Sequence, residues 1–340
     1  MSGEGRVASQ DHGTGYPFPM GDVPWSLLTP RPSPLTPFFT CIVVSHNKPA
    51  YVTEALASLA RQTFSNWEAI VFDSGVLYDQ GFFKDLPLVA DRRFRLVRSW
   101  ETDELRRTKT IASWCSNECF RKRLVQGKYV TYLCDDDLLD PGAFEAFYQY
   151  LRDHPTAMAM YGSVDMTVVN ERGERFLLRE IPAKEVKGRS CRGGRLDQQV
   201  DYLQICHHVD VLKAFPNDEY WPEEREFIRH ADGIFLEQVG SRFPIYPVPA
   251  KIGENRKVPD SLNDGGERLR ILEQVARDAE AVRRLWRGLG PFGQIVSHLK
   301  FEEHARAAAD RWPLVQRLGR RMVRAIAPLT ARPKSSRKHA

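Results

Sequence analysis

The sequence has no apolar run near the roughly 20 residues that a membrane-crossing helix requires. Its apolar stretches, such as Cys41–Val44 and Thr131–Cys134, fall far short of that length. The first residues are acidic, polar and proline-bearing, without the basic patch and apolar segment of a secretory signal. Both absences lead to the expectation of a cytoplasmic protein. The six cysteines, at 41, 115, 119, 134, 191 and 206, lack the paired spacing of a disulfide framework or a zinc finger. Cys115 and Cys119 can share a helix face, but no second pair accompanies them. Reduced thiols that pack as small apolar side chains are therefore expected. The first candidate strand also lacks a G-x-G-x-x-G run after it, being followed by Ser45-His46-Asn47-Lys48-Pro49. That argues against a nicotinamide-dependent oxidoreductase, the rival enzyme class for a chain of alternating strands and helices. Nor is there an aromatic-basic module to support nucleic-acid binding.

What is present is enough apolar sequence, 42% of 340 residues, for one large domain or two smaller ones with a sizeable core. The net charge of +5 is unevenly spread: from Arg283 onward 14 basic residues face 3 acidic ones, an excess of +11, so the preceding residues carry −6. The basic character belongs to the tail. Residues 1–37 are rich in Gly, Pro and Ser, with Pro30, Pro32, Pro34 and Pro37 closely spaced, which predicts a flexible or extended leader.

Phe39–Ser45 (FTCIVVS) is a β-branched run suited to a strand buried on both faces. After Pro49, the spacing of Val52, Leu56 and Leu59 predicts a helix over about 50–62. Trp67–Phe72 (WEAIVF) reads as the next buried strand and ends in the turn formers Asp73-Ser74-Gly75, completing a βαβ unit. A third strand at Phe94–Val97, a polar helix over about 110–126 stopped by Gly127, a strand at Tyr129–Leu133 and a helix from Pro141 to about Leu151 follow. This alternation predicts an α/β fold with a mostly parallel sheet and helices on both faces. Beyond it come a strand-like Val164–Val169, a Gly/Arg-rich stretch at Gly188–Arg195, a helical run near Asp232–Val239, and helical composition over 266–287 and 294–327.

Ligands of such sheets sit beyond the carboxyl ends of the strands. Three of those ends carry Ser45–Asn47, Asp73 and the run Asp135-Asp136-Asp137. Consecutive carboxylates at a buried strand end repel one another and raise each other's pKa. A divalent cation such as Mg²⁺ or Mn²⁺ removes the conflict and commonly binds through one or two carboxylates plus substrate phosphates. The competing reading is a solvated acidic loop that caps the next helix.

The segments CIVVSHNKPAYVTEALASLARQTFSNWEAIVFDSG, GKYVTYLCDDDLLDP and HADGIFLEQV, in that order, resemble the inverting glycosyltransferase family 2, whose fold is called GT-A. The resemblance spans roughly residues 38–263. It implies a GT-A catalytic domain over 38–263, with a nucleotide-sugar-binding half at 38–151 and an acceptor-side half at 152–263. A helical region at 264–327 and a basic tail at 328–340 would follow. It further implies that Asp73 accepts a hydrogen bond from the nucleotide base, and that Ser45 and Asn47 cradle the nucleoside. Asp135 would face the ribose, Asp136 would bind the metal with Asp137 in support, and Arg256, in a loop GENRKVPDSLN, would offset charge on the diphosphate. The register of the acidic motif is open by one residue, because some family members carry an acid where Cys134 stands. Asp232 matches the family's general base, although Ala231 replaces the preceding Glu. Glu223, Glu224 and Glu226 compete for that role, and Asp232 could instead be a helix N-cap. His207 or His208 could contact the acceptor, with core packing as the alternative.

By resemblance, then, the chain would transfer a sugar with inversion from a UDP-, dTDP- or GDP-linked donor to a saccharide or lipid-linked hydroxyl acceptor, with Mn²⁺ or Mg²⁺ as cofactor. Replacement of the Glu before Asp232 keeps a non-catalytic nucleotide-sugar-binding module as the alternative. In the tail, Leu314, Val315, Leu318, Met322, Val323 and Ile326 recur at helical spacing among Arg317, Arg320, Arg321 and Arg324. That pattern suits a peripheral contact with an anionic membrane face, or a helix that packs on the domain or on another subunit.

Overall fold

Strand β1 (Phe39–Ser45) is buried along its whole length, as its uninterrupted apolar run predicts. Helix α1 (Pro49–Ala60) follows, with Pro49 in its first turn, and β2 (Trp67–Asp73) returns parallel to β1. Short helix α2 (Phe82–Asp85), strand β3 (Phe94–Arg98), helix α3 (Asp103–Thr108) and helix α4 (Ile111–Arg121) lead to β4 (Tyr129–Cys134). Next come β5 (Leu138–Leu139), α5 (Ala143–Asp153), β6 (Ala159–Val169), β7 (Arg175–Ile181) and β8 (Ile205–His208). Helix α6 (Ala231–Gly240), strand β9 (Ile245–Lys257) and helix α7 (Glu267–Arg287) complete the order. The computed structural model describes residues 36–98, 103–183, 200–215, 220–228, 230–259, 261 and 266–287. The leader up to residue 35, Cys191 with the Gly/Arg-rich stretch, and the tail beyond 287 lie outside the described residues.

One sheet runs β3-β2-β1-β4-β8-β6-β9-β5, with β7 paired to β6. The first four strands are parallel neighbours. Beyond them β8 runs antiparallel to both β4 and β6, while β6 and β9 are parallel. The α/β fold with a parallel nucleus is the expected one, and the second half adds antiparallel pairing that the sequence patterning did not disclose.

Side-chain alternation explains why both faces are covered. Cys41, Val43, Ala69 and Val71 pack with Val52, Leu56 and Leu59 of α1 and Phe144, Phe147 and Leu151 of α5. Ile42, Val44, Ile70, Phe72 and Tyr132 point the other way, toward Cys115 and Cys119 of α4 and Phe235 and Val239 of α6. Both helical cysteines are fully buried free thiols, as packing predicts. Helix α7 lays Leu269 and Ala276 against Val168 and Leu178 of β6 and β7. No helix among the described residues is long and apolar enough to cross a membrane.

Two expectations are corrected. Helix α4 stops at Arg121, with Lys122 closing it and Arg123 in the left-handed region at φ 53°, so Gly127 does not terminate it. Gly127 instead lies against β1, where its N–H donates to Thr40 Oγ1 at 2.7 Å and a Cβ would fall 2.4 Å from Thr40 N. The segment around Arg256, expected as a loop, is strand: Gly253–Lys257 pair with Val164–Val168 of β6.

The crowding at Gly127 is with backbone that cannot rotate away. Gly127→Ala should therefore destabilise the fold by about 1–3 kcal/mol through overpacking, read as a lower urea midpoint with an unchanged slope.

Candidate active site

Register gathers the polar strand ends into one row. Ser45 stands opposite Asp73, and Val44 stands opposite Cys134, so Asp135 leaves β4 level with Ser45. Asp135 N donates to Val44 O at 3.0 Å, which extends the β1–β4 pairing into the acidic loop. Residues 90 apart in sequence thus meet at the carboxyl edge of three adjacent parallel strands.

Each carboxylate of the loop has its own support. Asp135 accepts from the His46 backbone N–H at 2.7 Å through Oδ2 and from Lys48 Nζ at 3.0 Å through Oδ1. Lys48 Nζ also reaches Asp136 Oδ2 at 2.8 Å. Asp137 Oδ1 accepts from the Arg256 backbone N–H at 2.9 Å. The Arg256 guanidinium, itself buried, donates to the Asp136 carbonyl and pairs with Glu54 of α1. Its Nη2 is buried without a hydrogen-bond partner among the described residues.

Burial makes Asp135 and Asp137 reluctant to ionise. The Asp135 carboxyl is pushed up to about 6 by burial, opposed by Lys48 and reinforced by Asp136. Asp137 is raised by burial and by the charges of Asp136 and Asp201. Burial works against charge on Lys48, but attraction to Asp136 and Asp135 outweighs it and raises Lys48 above its ordinary value. Cys134 Sγ and carboxylate oxygens of Asp136 and Asp137 lie within 4.8 Å of one another. Two hard carboxylate donors so close together suit a divalent cation with open positions for water or phosphate, and the half-buried thiol is a softer third neighbour. The residues therefore fit the cation that the sequence suggested.

Asp73, at the end of β2, is buried, and its oxygens accept from Gly75 N at 3.2 Å and Tyr78 N at 2.9 Å. Burial raises it, against those two N–H groups and Arg98. The turn reading is thus realised, and any base contact would use lone pairs left over. Ser45 is fully buried, and its Oγ has no partner among the described residues, while its carbonyl accepts from Ser74 N and Oγ. Asn47 takes φ 52° and accepts from Val76 N at 2.8 Å. A Cβ at Gly75 would fall 2.2 Å from Asn47 Oδ1 and 2.9 Å from Asn47 N, so a side chain there would displace Asn47. Ser45 and Asn47 both support the turn that follows Asp73.

Asp232 sits in the first turn of α6, whose N-cap is His230, so it does not cap its own helix. Its Oδ2 accepts from Tyr202 N at 3.2 Å, in the 3-10 turn Tyr202–Gln204. The neighbouring Asp201 is the residue whose charge acts on Asp137 and Cys134. The Tyr202 ring packs against Tyr132 of β4, centroids 4.7 Å apart, so the turn that Asp232 contacts lies beside that strand. Of its competitors, Glu223 bonds Asn117 Nδ2 at 2.7 Å and pairs with Arg121 at 2.8 Å and Lys109 at 3.3 Å. Glu224 and Glu226 are exposed. His207 is a core residue, its Nε2 2.6 Å from Tyr132 Oη and its Nδ1 2.9 Å from His208 O. His208 receives the Asp210 N–H.

Sequence reasoning missed Lys48, Glu54 and Asp201. Lys48 had a signal: it belongs to the same β1–α1 loop as Ser45 and Asn47. Asp201 had one too, the capping box in which Asp201 and Gln204 reciprocally cap the turn. Glu54 carried none, because its helix position says nothing about a strand 202 residues away.

No family model matches the chain. Protein CgeD of Bacillus subtilis (strain 168) is 28% identical over 232 residues, covering 66% of this chain and 51% of CgeD. Glycosyltransferase GlyG of Streptococcus pneumoniae serotype 4 is 21% identical over 161 residues, covering 46% of this chain and 50% of GlyG. The chain thus spans about half the length of these curated relatives. Among solved structures, S. aureus TarS in complex with UDP-GlcNAc is similar at TM-score 0.48 and 19% identity, over 68% of this chain and 60% of that one. Mannosyltransferase PcManGT from Pyrobaculum calidifontis, in complex with GDP-Man and Mn²⁺, gives TM-score 0.42 and 15% identity, over 91% and 80%. The likeness to glycosyltransferases read from the motifs therefore recurs in a relative that bears that name.

His207 carries the pH prediction. Burial lowers it from 6.5 to about 4, so the unfolded chain binds its proton first, and stability falls as pH drops through that window. The loss should approach about 3 kcal/mol at pH 4. Comparing urea midpoints of wild type and His207→Gln at pH 7.5 and pH 4.5 isolates this contribution: the variant should be the less acid-sensitive of the two.

Proposed function

We propose that this chain is a GT-A glycosyltransferase that moves a sugar from a nucleoside-diphosphate sugar to a hydroxyl acceptor, with inversion and with a divalent cation. The observation that carries this reading is the convergence of Asp73, Asp135, Asp136 and Asp137 at the carboxyl ends of parallel strands that flank β1. A general parallel-sheet crevice would accommodate many ligands. Two carboxylates poised for one cation suit a substrate that brings its own phosphates.

Asp136 and Asp137 would hold the cation, which supplies Lewis-acid stabilisation for charge that develops on the departing diphosphate. The remaining work falls to the chain's own groups. Asp73 would accept from the nucleotide base on the outward side of its turn, with Ser45 and Asn47 setting the position of that turn. Asp135, fixed by His46 N and Lys48, would present the ribose side of the donor with an ordered wall. Arg256 would act by holding the Asp136–Asp137 backbone in place, because its guanidinium is committed to Asp136 O and Glu54. Asp232 would take the proton from the acceptor hydroxyl. Inversion needs no covalent intermediate, consistent with a single positioned base.

A second reading, nucleotide-sugar binding without turnover, is favoured by one feature: Asp232 spends an oxygen on Tyr202 N, as a purely structural carboxylate would. Incubation with a panel of nucleotide sugars, with and without acceptor saccharides, separates the two by release of nucleoside diphosphate.

Two results should follow if transfer occurs. EDTA should abolish it, Mn²⁺ or Mg²⁺ should restore it, and Asp136→Ala should be inactive with an unchanged circular dichroism spectrum; full turnover under chelation would end the cation assignment. Asp232→Asn should keep donor affinity in calorimetry while turnover drops about 10²-fold or more. Loss on Glu224→Gln instead would move the base to that residue.

A further inference from the structure

The acidic loop meets a cation that the chain itself supplies. Lys48 Nζ lies 3.0 Å from Asp135 Oδ1 and 2.8 Å from Asp136 Oδ2, and its side chain is 11% exposed. These two contacts are not equivalent. Asp135 has both oxygens engaged, by Lys48 and by His46 N, and it stands outside the close group formed by Cys134, Asp136 and Asp137. Asp136 belongs to both sets: it is a partner of the ammonium and a member of the group that fits a cation.

We propose that Lys48 is a built-in counter-cation of the acidic loop, which a divalent ion must displace from Asp136, so that Lys48 sets the affinity of the site for that ion. The inference rests on the cation-dependent reading above. An ammonium and a divalent ion on one carboxylate, with little water between them, repel strongly. The residue type suits displacement. A lysine ammonium is a compact charge on a flexible four-carbon stem, able to swing away, whereas an arginine fork binds carboxylates in a fixed bidentate geometry. Arg256 is the contrasting case, a guanidinium locked between Asp136 O and Glu54 and over the Tyr51 ring. One cation of the loop is a fixture and the other is exchangeable. Asp135 would retain Lys48 after the exchange, since its own oxygens are not part of the ion's group.

The test uses Mn²⁺ alone, with free ion followed by electron paramagnetic resonance during titration of wild type, Lys48→Met and Lys48→Arg. Lys48→Met should bind Mn²⁺ about tenfold more tightly than wild type, the scale expected for removing a nearby, partly solvated unit charge. Lys48→Arg should bind no more tightly than wild type. Thermal melts give a second readout that a merely structural lysine would not produce. Lys48→Met should melt below wild type in EDTA, where its carboxylates are uncompensated, and should gain more on saturation with Mn²⁺. If Lys48→Met does not fold, Lys48→Gln serves in the same titration. Equal or weaker Mn²⁺ binding by a folded Lys48 variant, alongside measurable binding by wild type, overturns the inference and leaves the cation reading standing. Absence of binding by every protein removes the cation reading and the inference together.

Discussion

The burial of three consecutive carboxyl groups is the constraint on which the site depends. Asp135, Asp136 and Asp137 are each less than a tenth exposed, and burying polar groups is costly unless they find partners. Partners come from three neighbouring elements. The β1–α1 loop contributes His46 N and Lys48, β9 contributes the backbone and side chain of Arg256, and α1 contributes Glu54 to keep that arginine in place. Breaking one partner of a buried charge network generally costs more than the network contributes to stability when intact. The arrangement is thus better explained by what the carboxylates do than by any gain in stability.

Much of the parallel half was legible because its determinants are local. Phe39–Ser45 and Trp67–Phe72 are short, largely apolar and rich in β-branched residues, which suits strands buried on both faces, and the turn residues after each mark where the strand ends. The acidic run could be placed at a strand end for the same reason. The second half resisted because its determinants are distant. Strand β9 includes Pro247, Pro249, Lys251, Glu254, Asn255, Arg256 and Lys257, and no periodicity marks it as strand. It is one because β6 offers it a partner and β5 pairs on its other side. Gly127 illustrates the same limit at one residue: a glycine after a helix resembles a terminator, and only the approach of β1 reveals that the space for a Cβ is missing.

Site residues divide along the same line. Asp73, Asp135, Asp136 and Asp137 are strand-end carboxylates, readable from sequence because the strand that precedes each is readable. Lys48 lay in plain view beside Pro49, but a lysine in a turn is ordinarily solvated, and its role becomes visible only when β1 and β4 are set in register. Asp201 and Asp232 are further removed. They meet through Tyr202, where a 3-10 turn is capped by Asp201 and touched by Asp232, and neither residue's neighbours in sequence disclose the contact.

That turn also joins the two halves of the sheet. Tyr202–Gln204 leads directly into β8, the strand inserted antiparallel between β4 and β6. Tyr202 Oη is 2.6 Å from Ser116 Oγ on α4, and Gln204 Nε2 donates to Gly162 O of β6 at 2.6 Å. A displacement of this turn would move Asp201 relative to Asp137 and would break the Asp232 contact at the same time. The proposed base thus rests on one short segment anchored to helix α4 on one side and to strand β6 on the other, and rigid support is what a positioned base requires.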